Sequence, residues 1–195
     1  MDDLEDTIVE SLHRLIELRA REEGEHALRT AIVALYLAKA VDVPGADLAH
    51  IRRGMMLHDI GKMGIPDQIL FKMGPLSPEE WKRMREHPEN GSALLAPLGF
   101  LSPALDIVGG HHEQWDGSGY PSGLRGEQIP LHARIAAIAE VWDSLTCDMH
   151  YRPAWAFGKA LGFFEAESGR KFDPEISQVF IRIMREKGQI PAYGS

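Results

Sequence analysis

The chain has 195 residues, 44% apolar and 26% charged, enough for one sizeable core and too short for more than one domain with an extension. A net charge of −8 argues against a nucleic-acid-binding surface, and no apolar run reaches the length of a membrane span. The single cysteine, Cys147, excludes an intrachain disulfide and fits a reducing compartment. The acidity is concentrated: residues 1–26 hold nine acidic and three basic residues, a net of −6, which leaves −2 for the remainder. Met1-Asp2-Asp3 is acidic where a signal peptide would be basic. The bulk numbers therefore describe a soluble cytoplasmic domain, or a piece cut from a longer protein.

In chain order, Leu4, Ile8, Leu12, Leu15, Ile16 and Arg19 follow helical spacing, with charged residues between them. This first helix, within residues 1–20, either packs on the body or continues into an upstream domain or a dimer coiled coil. The main domain runs over 21–190. Its opening helix, about Glu23 to Val41, is apolar almost all round and is expected at the centre. Val43-Pro44-Gly45 stops it. Asp47 starts another helix reaching about Asp59, where Gly61 and Gly64 break the chain. Ile65-Pro66-Asp67 opens a short turn of helix to Leu70. Ser77, Pro78 and Glu80 spell a capping box with proline at the first helical position. Helices are expected over 78–86, 88–97 and 102–112, then a Gly-rich segment over 109–126. Three more follow, from Leu131 to about Asp148, Ala154 to Ser168, and Pro174 to Lys187. No alternating strand pattern appears, so the fold class is all-α, a helical bundle.

Several residues resist a purely structural reading. His111 and His112 end an apolar run and lead directly into Gly117-Ser118-Gly119-Tyr120-Pro121. This reads either as a metal site with a substrate lip or as a helix stop followed by a turn. His58-Asp59 lies among Met55, Met56, Leu57 and Ile60, where a carboxylate would be buried without a partner unless it meets a cation. Glu22 and His26 share a helix face at i, i+4, a spacing that by itself favours a solvent-facing pair in an acidic run over a ligand pair. His87 sits before Pro88 between two helices, where a single histidine is more often a cap or a satisfied core residue than a ligand. Glu140, set within Ile135 to Val141, is a carboxylate in apolar surroundings, and it too wants a cation. Asp143 follows it on the same face.

Together these segments resemble the HD-GYP family of HD-superfamily metal-dependent phosphodiesterases that act on cyclic di-GMP. The resemblance rests on His58-Asp59-Ile60-Gly61-Lys62, His87-Pro88 and His111-His112-Glu113 with Asp116-Gly117-Ser118-Gly119-Tyr120-Pro121. It extends to Ile65-Pro66-Asp67, Gly74 to Glu80, Ile129-Pro130-Leu131 and Phe172-Asp173-Pro174-Glu175. It covers about Arg21 to Ile183 and implies an HD-superfamily helical bundle. It implies metal-ligand roles for His58, Asp59, His87, His111 and His112, with Asp59 bridging. Glu22 and His26 match the first-helix pair associated with a third metal. Glu140 stands at the last ligand position, where the family has aspartate, and Asp143 matches a second family aspartate. Lys62 matches the lysine near the scissile phosphate. Gly119, Tyr120 and Pro121 match the loop that shapes the substrate entrance and contacts protein partners. The resemblance implies two or three divalent ions, iron or manganese, and hydrolysis of cyclic di-GMP to the linear dinucleotide or GMP.

The family's nucleotide-contacting arginine is replaced by Met149, which leaves Arg152 as the nearby cation. With Glu140, that departure motivates two alternatives: a weakly active or inactive cyclic-dinucleotide sensor, or a hydrolase of another cyclic dinucleotide. The partners read from the sequence are a cyclic dinucleotide, a protein at the Gly-Tyr-Pro loop and a second copy through the first helix, with neither DNA nor membrane. His13, His50, His132 and His150 match no motif position and are read as surface or structural residues. Trp115 is expected to pack under its own loop.

Overall fold

A computed structural model describes residues 2–148 and 153–188. Met149, His150 and Arg152 lie outside the described residues. Among those described, the chain is helical throughout, with one isolated bridge between Ser168 and Phe172 and no strand. The helices are α1 (Asp2–Arg19), α2 (Arg21–Ala40), α3 (Leu48–Leu57), α4 (Asp67–Leu70) and α5 (Pro78–Met84). They continue with α6 (His87–Leu95), α7 (Leu105–Gly110), α8 (Leu131–Thr146), α9 (Phe157–Glu167) and α10 (Pro174–Lys187).

Two boundaries differ from the sequence reading for local reasons. The helix expected over 102–112 is split. Pro103 lacks an N–H, so Gly99–Ala104 winds as a 3-10 segment and α7 begins only at Leu105. The helix expected to reach Asp59 stops at Leu57, and the chain tightens into a 3-10 turn over Ile60–Gly64. The Ser77–Glu80 capping box forms as read, with Ser77 Oγ accepting from the Glu80 N–H and Glu80 accepting from the Ser77 N–H.

Two apolar clusters hold the bundle. The larger joins Ala31, Ala34 and Leu37 of α2 to Ile135, Ala136 and Ala139 of α8, and to Phe164, Phe180 and Met184 of α9 and α10. Small residues on α2 and α8 allow close approach, and each fully buried Phe or Leu contributes about 2–3 kcal/mol. The second cluster joins Val9 and Ile16 of α1 to Met56, Leu57, Leu95, Leu101 and Val108. Thus α1 packs on the body. It is also tied there by charge: Arg53, nearly buried, donates to Glu5 and Asp6, and Arg19 donates to the Met63 and Ile65 carbonyls and to Asp67.

Two helices lie on the seam between the clusters. α3 sends Ile51 and Met55 into one and Met56 and Leu57 into the other; α7 divides Ile107 and Val108 in the same way. Both end where the seam opens, at His58-Asp59 and at His111-His112. The α6 start is brought to the same place by close backbone contact. A Cβ on Gly61 would lie 1.8 Å from the His87 carbonyl oxygen and 2.5 Å from the Gly91 nitrogen. Only glycine permits the turn after Asp59 to press on His87.

Candidate metal centre

Side chains from α2, α3, α6, α7 and α8 converge at this seam. Two groups have donor atoms within 4.8 Å of one another: His87, His111 and His112, and His26, His58 and Asp59. Asp59 connects them. Its Oδ1 lies 3.2 Å from His87 Nε2 and 3.8 Å from His111 Nε2, and its Oδ2 lies 3.3 Å from His58 Nε2.

The hydrogen bonds fix which nitrogen of each ring is bare. His58 Nδ1 lies 2.7 Å from the Met55 carbonyl, His87 Nδ1 2.8 Å from Met84, and His111 Nδ1 3.0 Å from Ile107. A carbonyl only accepts, so each Nδ1 carries the proton and, in the neutral ring, each Nε2 presents a lone pair. His26 Nδ1 lies 2.7 Å from Asp143 Oδ2 and is oriented likewise. The lone pairs point inward. His87 Nε2 and His111 Nε2 stand 3.1 Å apart, two bare nitrogens that repel unless a proton or a cation lies between them. His58 Nε2 is buried and faces only the Asp59 carboxylate, at 3.3 Å. Outer N–H groups held by the protein and inner lone pairs left without donors are the pattern of imidazoles built to ligate. The donor set, five imidazoles with carboxylates, fits divalent transition-metal ions.

The charges are consistent with that fit. Burial would raise the Asp59 carboxyl, but Lys62 and His58 hold it well below the usual carboxylate range. Burial would lower His58, yet the Asp59 charge and hydrogen bond bring it up to about 9. Burial and the neighbouring imidazoles hold His111 and His112 well below the usual value, as lone-pair donors. Lys62 Nζ bridges Asp59 Oδ2 at 2.9 Å and Glu23 Oε2 at 2.8 Å, and these carboxylates, against the cost of burial, keep it charged. Glu140 Oε2 stands 3.5 Å from His112 Nδ1, with its carboxyl pushed up by burial to about 8.

Not every residue singled out from the sequence joins the cluster. Glu22 is exposed and belongs to neither group; its neighbour Glu23, overlooked in the sequence, reaches Lys62. Asp143 lies behind His26 rather than beside Glu140's partners. Arg29 donates to both of its oxygens, at 2.7 and 2.9 Å. Burial would raise the Asp143 carboxyl, but His26 and Arg29 hold it down at about 2. The Gly-Tyr-Pro loop covers the cluster. A Cβ on Gly119 would lie 2.3 Å from the Gln114 nitrogen, so the loop folds back tightly, and the Tyr120 ring stacks on His112 at 4.6 Å. The buried Glu113 carboxylate accepts from the Ser122 and Leu124 N–H groups and shapes the loop from inside. Glu113 carries no role in the sequence reading, because the N–H donors it accepts from lie nine and eleven residues away. Trp115 packs within the loop, under Arg134 at 5.8 Å.

A family described as "HD domain" matches residues 10–176. The chain belongs to the HD domain family. The HD-GYP resemblance carried by its motifs stands with it. A "Cyclic di-GMP phosphodiesterase" of Vibrio cholerae is 39% identical over 96% of this chain and 41% of its own length. A "3'3'-cGAMP-specific phosphodiesterase 2" of the same organism is 37% identical over 93% of this chain and 36% of its own. Among solved structures, an HDG"Y"P protein from Bdellovibrio bacteriovorus aligns over 82% of this chain and 51% of its own, with a TM-score of 0.66 and 21% identity, a likeness of fold. The chain thus spans less than half the length of these two curated relatives. Among the described residues, no helix is long and apolar enough to cross a membrane.

Proposed function

We propose that this HD domain is a metal-dependent phosphodiesterase that opens cyclic di-GMP to the linear dinucleotide and on to GMP. The observation that carries the reading is the pair of inward-facing imidazole groups joined through Asp59, with Lys62 at its edge. His87, His111 and His112 would hold one divalent ion and His26 and His58 a second, with Asp59 shared between them. Glu140 is the further ligand proposed beside His112, and Glu22 the one proposed for a third ion. Iron or manganese suits the mixed nitrogen and oxygen donors. Ions bound there supply Lewis acidity toward a phosphodiester and toward water.

The chain's own groups do the rest. Lys62 brings a fixed positive charge, oriented by Asp59 and Glu23, to a phosphate whose negative charge grows in the transition state. Asp143 and Arg29 lock the His26 ring with Nε2 inward. The Tyr120 ring on His112 narrows the entrance and limits water. Cys147 is not the nucleophile: burial and Asp143 raise its thiol pKa, and its Sγ is turned to Asp143 at 3.2 Å.

Metal-loaded protein incubated with cyclic di-GMP should release the linear dinucleotide and GMP, and Asp59→Ala should abolish it. A metal-loaded chain that leaves every cyclic dinucleotide uncut refutes the reading. A relative named for 3'3'-cGAMP favours a second substrate reading, so the panel includes that dinucleotide. The exposed Leu4, Leu15 and Leu18 of α1 support the proposed contact with a second copy. The Gly-Tyr-Pro loop remains the proposed protein contact, and a cytoplasmic setting the proposed location.

A further inference from the structure

The mouth of the site carries a cation that the reading above does not use. α5 and the residue that ends it present Trp81 and Arg85 on one face, at i, i+4. The Arg85 guanidinium lies 5.1 Å over the Tyr120 ring and 6.0 Å from the Trp81 ring. Tyr120 stacks in turn on His112. An aromatic and cationic strip therefore runs from the surface to a proposed metal ligand. Trp81 is 48% exposed, a large apolar face that no part of the core covers. Arg85 has no carboxylate partner among the described residues: Glu86 accepts from Arg83 at 2.9 Å, and Glu80 accepts from Lys72 and the Ser77 N–H. A cation left without a counter-charge, held between two ring faces beside a phosphate-cutting site, is placed for an anion.

We propose that Trp81 and Arg85 form the outer half of the substrate site, where a purine stacks on the Trp81 indole and Arg85 donates to the phosphodiester that is not cut. The inference rests on the cyclic-dinucleotide reading. Such a substrate carries two phosphodiesters, and the ions and Lys62 serve the scissile one. The second must lose part of its hydration on binding, and a planar guanidinium fork replaces it better than a point charge. Exposed aromatic faces accept any base, so this half would grip without selecting.

The test separates binding from cutting. Stopped-flow mixing of metal-loaded protein with cyclic di-GMP reads tryptophan quenching before turnover, and Trp81→Phe identifies the Trp81 share. Expected results are quenching that depends on Trp81 and affinity about tenfold weaker in Arg85→Gln, the loss of roughly one charged hydrogen bond. The loss should be equal for cyclic di-GMP, 3'3'-cGAMP and cyclic di-AMP, and should appear in KM more than in kcat. Arg85→Lys should recover part of it. Arg83→Gln, whose parent side chain pairs with Glu86, should bind within about twofold of the parent. Unchanged affinity in a folded Arg85→Gln protein, or no binding at all, overturns the proposal. A loss confined to guanine-bearing dinucleotides overturns the phosphate assignment in favour of base-edge contact. Binding without cleavage in the parent would defeat the hydrolytic reading and leave the outer half standing; cleavage with an unchanged KM in Arg85→Gln would do the reverse.

Discussion

Gly61→Ala tests the link between backbone packing and the metal centre. The added methyl would sit 1.8 Å from the His87 carbonyl oxygen and 2.5 Å from the Gly91 nitrogen, both backbone atoms that cannot rotate away. Ordinary contact for such pairs begins near 3.4 Å, so the 3-10 turn and α6 must part by about 1.5 Å. Overpacking of this kind costs ~2–3 kcal/mol. In a chain of this length that lowers Tm by roughly 4–12 °C. The same shift separates Asp59 Oδ1 from His87 Nε2, now 3.2 Å apart, and so opens the junction between the two groups. Metal affinity should then fall about 10–100-fold, as it does when supporting contacts are lost. Gly64→Ala is the control. It lies in the same turn, and its methyl would meet only the Asn90 side chain, with Nδ2 at 3.4 Å and Cγ at 3.8 Å. Thermal melts with and without chelator, together with calorimetric manganese titration, measure both effects. A Gly61→Ala protein with the parent's Tm and metal affinity, or a Gly64→Ala protein equally impaired, would refute the reasoning.

Three further outcomes follow from the charges around the centre. Metal must displace the protons that the metal-free chain holds on His58 at about 9 and on the proposed ligand Glu140 at about 8, so apparent manganese affinity should rise with pH from 7, by at least about tenfold per unit, and level off above 9; a pH-independent titration counts against it. Asp143, held at about 2 when folded against about 3.9 unfolded, adds stability that is complete above the unfolded value and lost as pH falls through 2. In urea melts at pH 7, Asp143→Asn should therefore cost about 2 kcal/mol, and should flatten the acid limb; an unchanged midpoint argues against the buried pairing with Arg29 and His26. Glu113→Ala removes the acceptor of two loop N–H groups and should cost about 2 kcal/mol while raising the KM for cyclic di-GMP several-fold, an effect absent if the loop holds itself.

Much of the centre was legible because its residues violate their surroundings. His58-Asp59 and His111-His112 interrupt apolar runs, and a polar pair in such a place needs a partner the sequence does not name nearby. The helices were legible from spacing and caps, down to the Ser77–Glu80 box. Glu23 was not. Adjacent helical residues diverge by about 100°, and nothing local decides whether Glu22 or Glu23 faces inward. That depends on where Lys62, 39 residues away, is delivered by the turn. Asp143 read as a companion of Glu140 because the two lie i, i+3. Its role comes from Arg29, 114 residues earlier, which reaches it only when α2 and α8 pack through their alanines. The split before α7 was hidden by apolar spacing that continues across Pro103, although the backbone donor does not.

The position of the centre follows from the same packing. A single apolar core would leave the ends of α3 and α7 far from each other, or bury their histidines among alkyl groups with no acceptors. Two cores meeting along these helices create a seam that is dry enough to strengthen charge interactions and lined by helix-end carbonyls. Those carbonyls, from Met55, Met84 and Ile107, take the outer protons of three histidines. The backbone thereby sets the tautomers before any ligand arrives. What remains inside is an excess of lone pairs and one strongly ionised carboxylate, with Lys62 and the charge on His58 as counterweights. A bound cation relieves that repulsion and frees the His58 proton, so metal binding and folding draw on the same contacts. The residues that make the seam hospitable to a cation are therefore those whose loss should weaken fold and metal affinity together, while Trp81 and Arg85, outside the seam, should change nucleotide affinity alone.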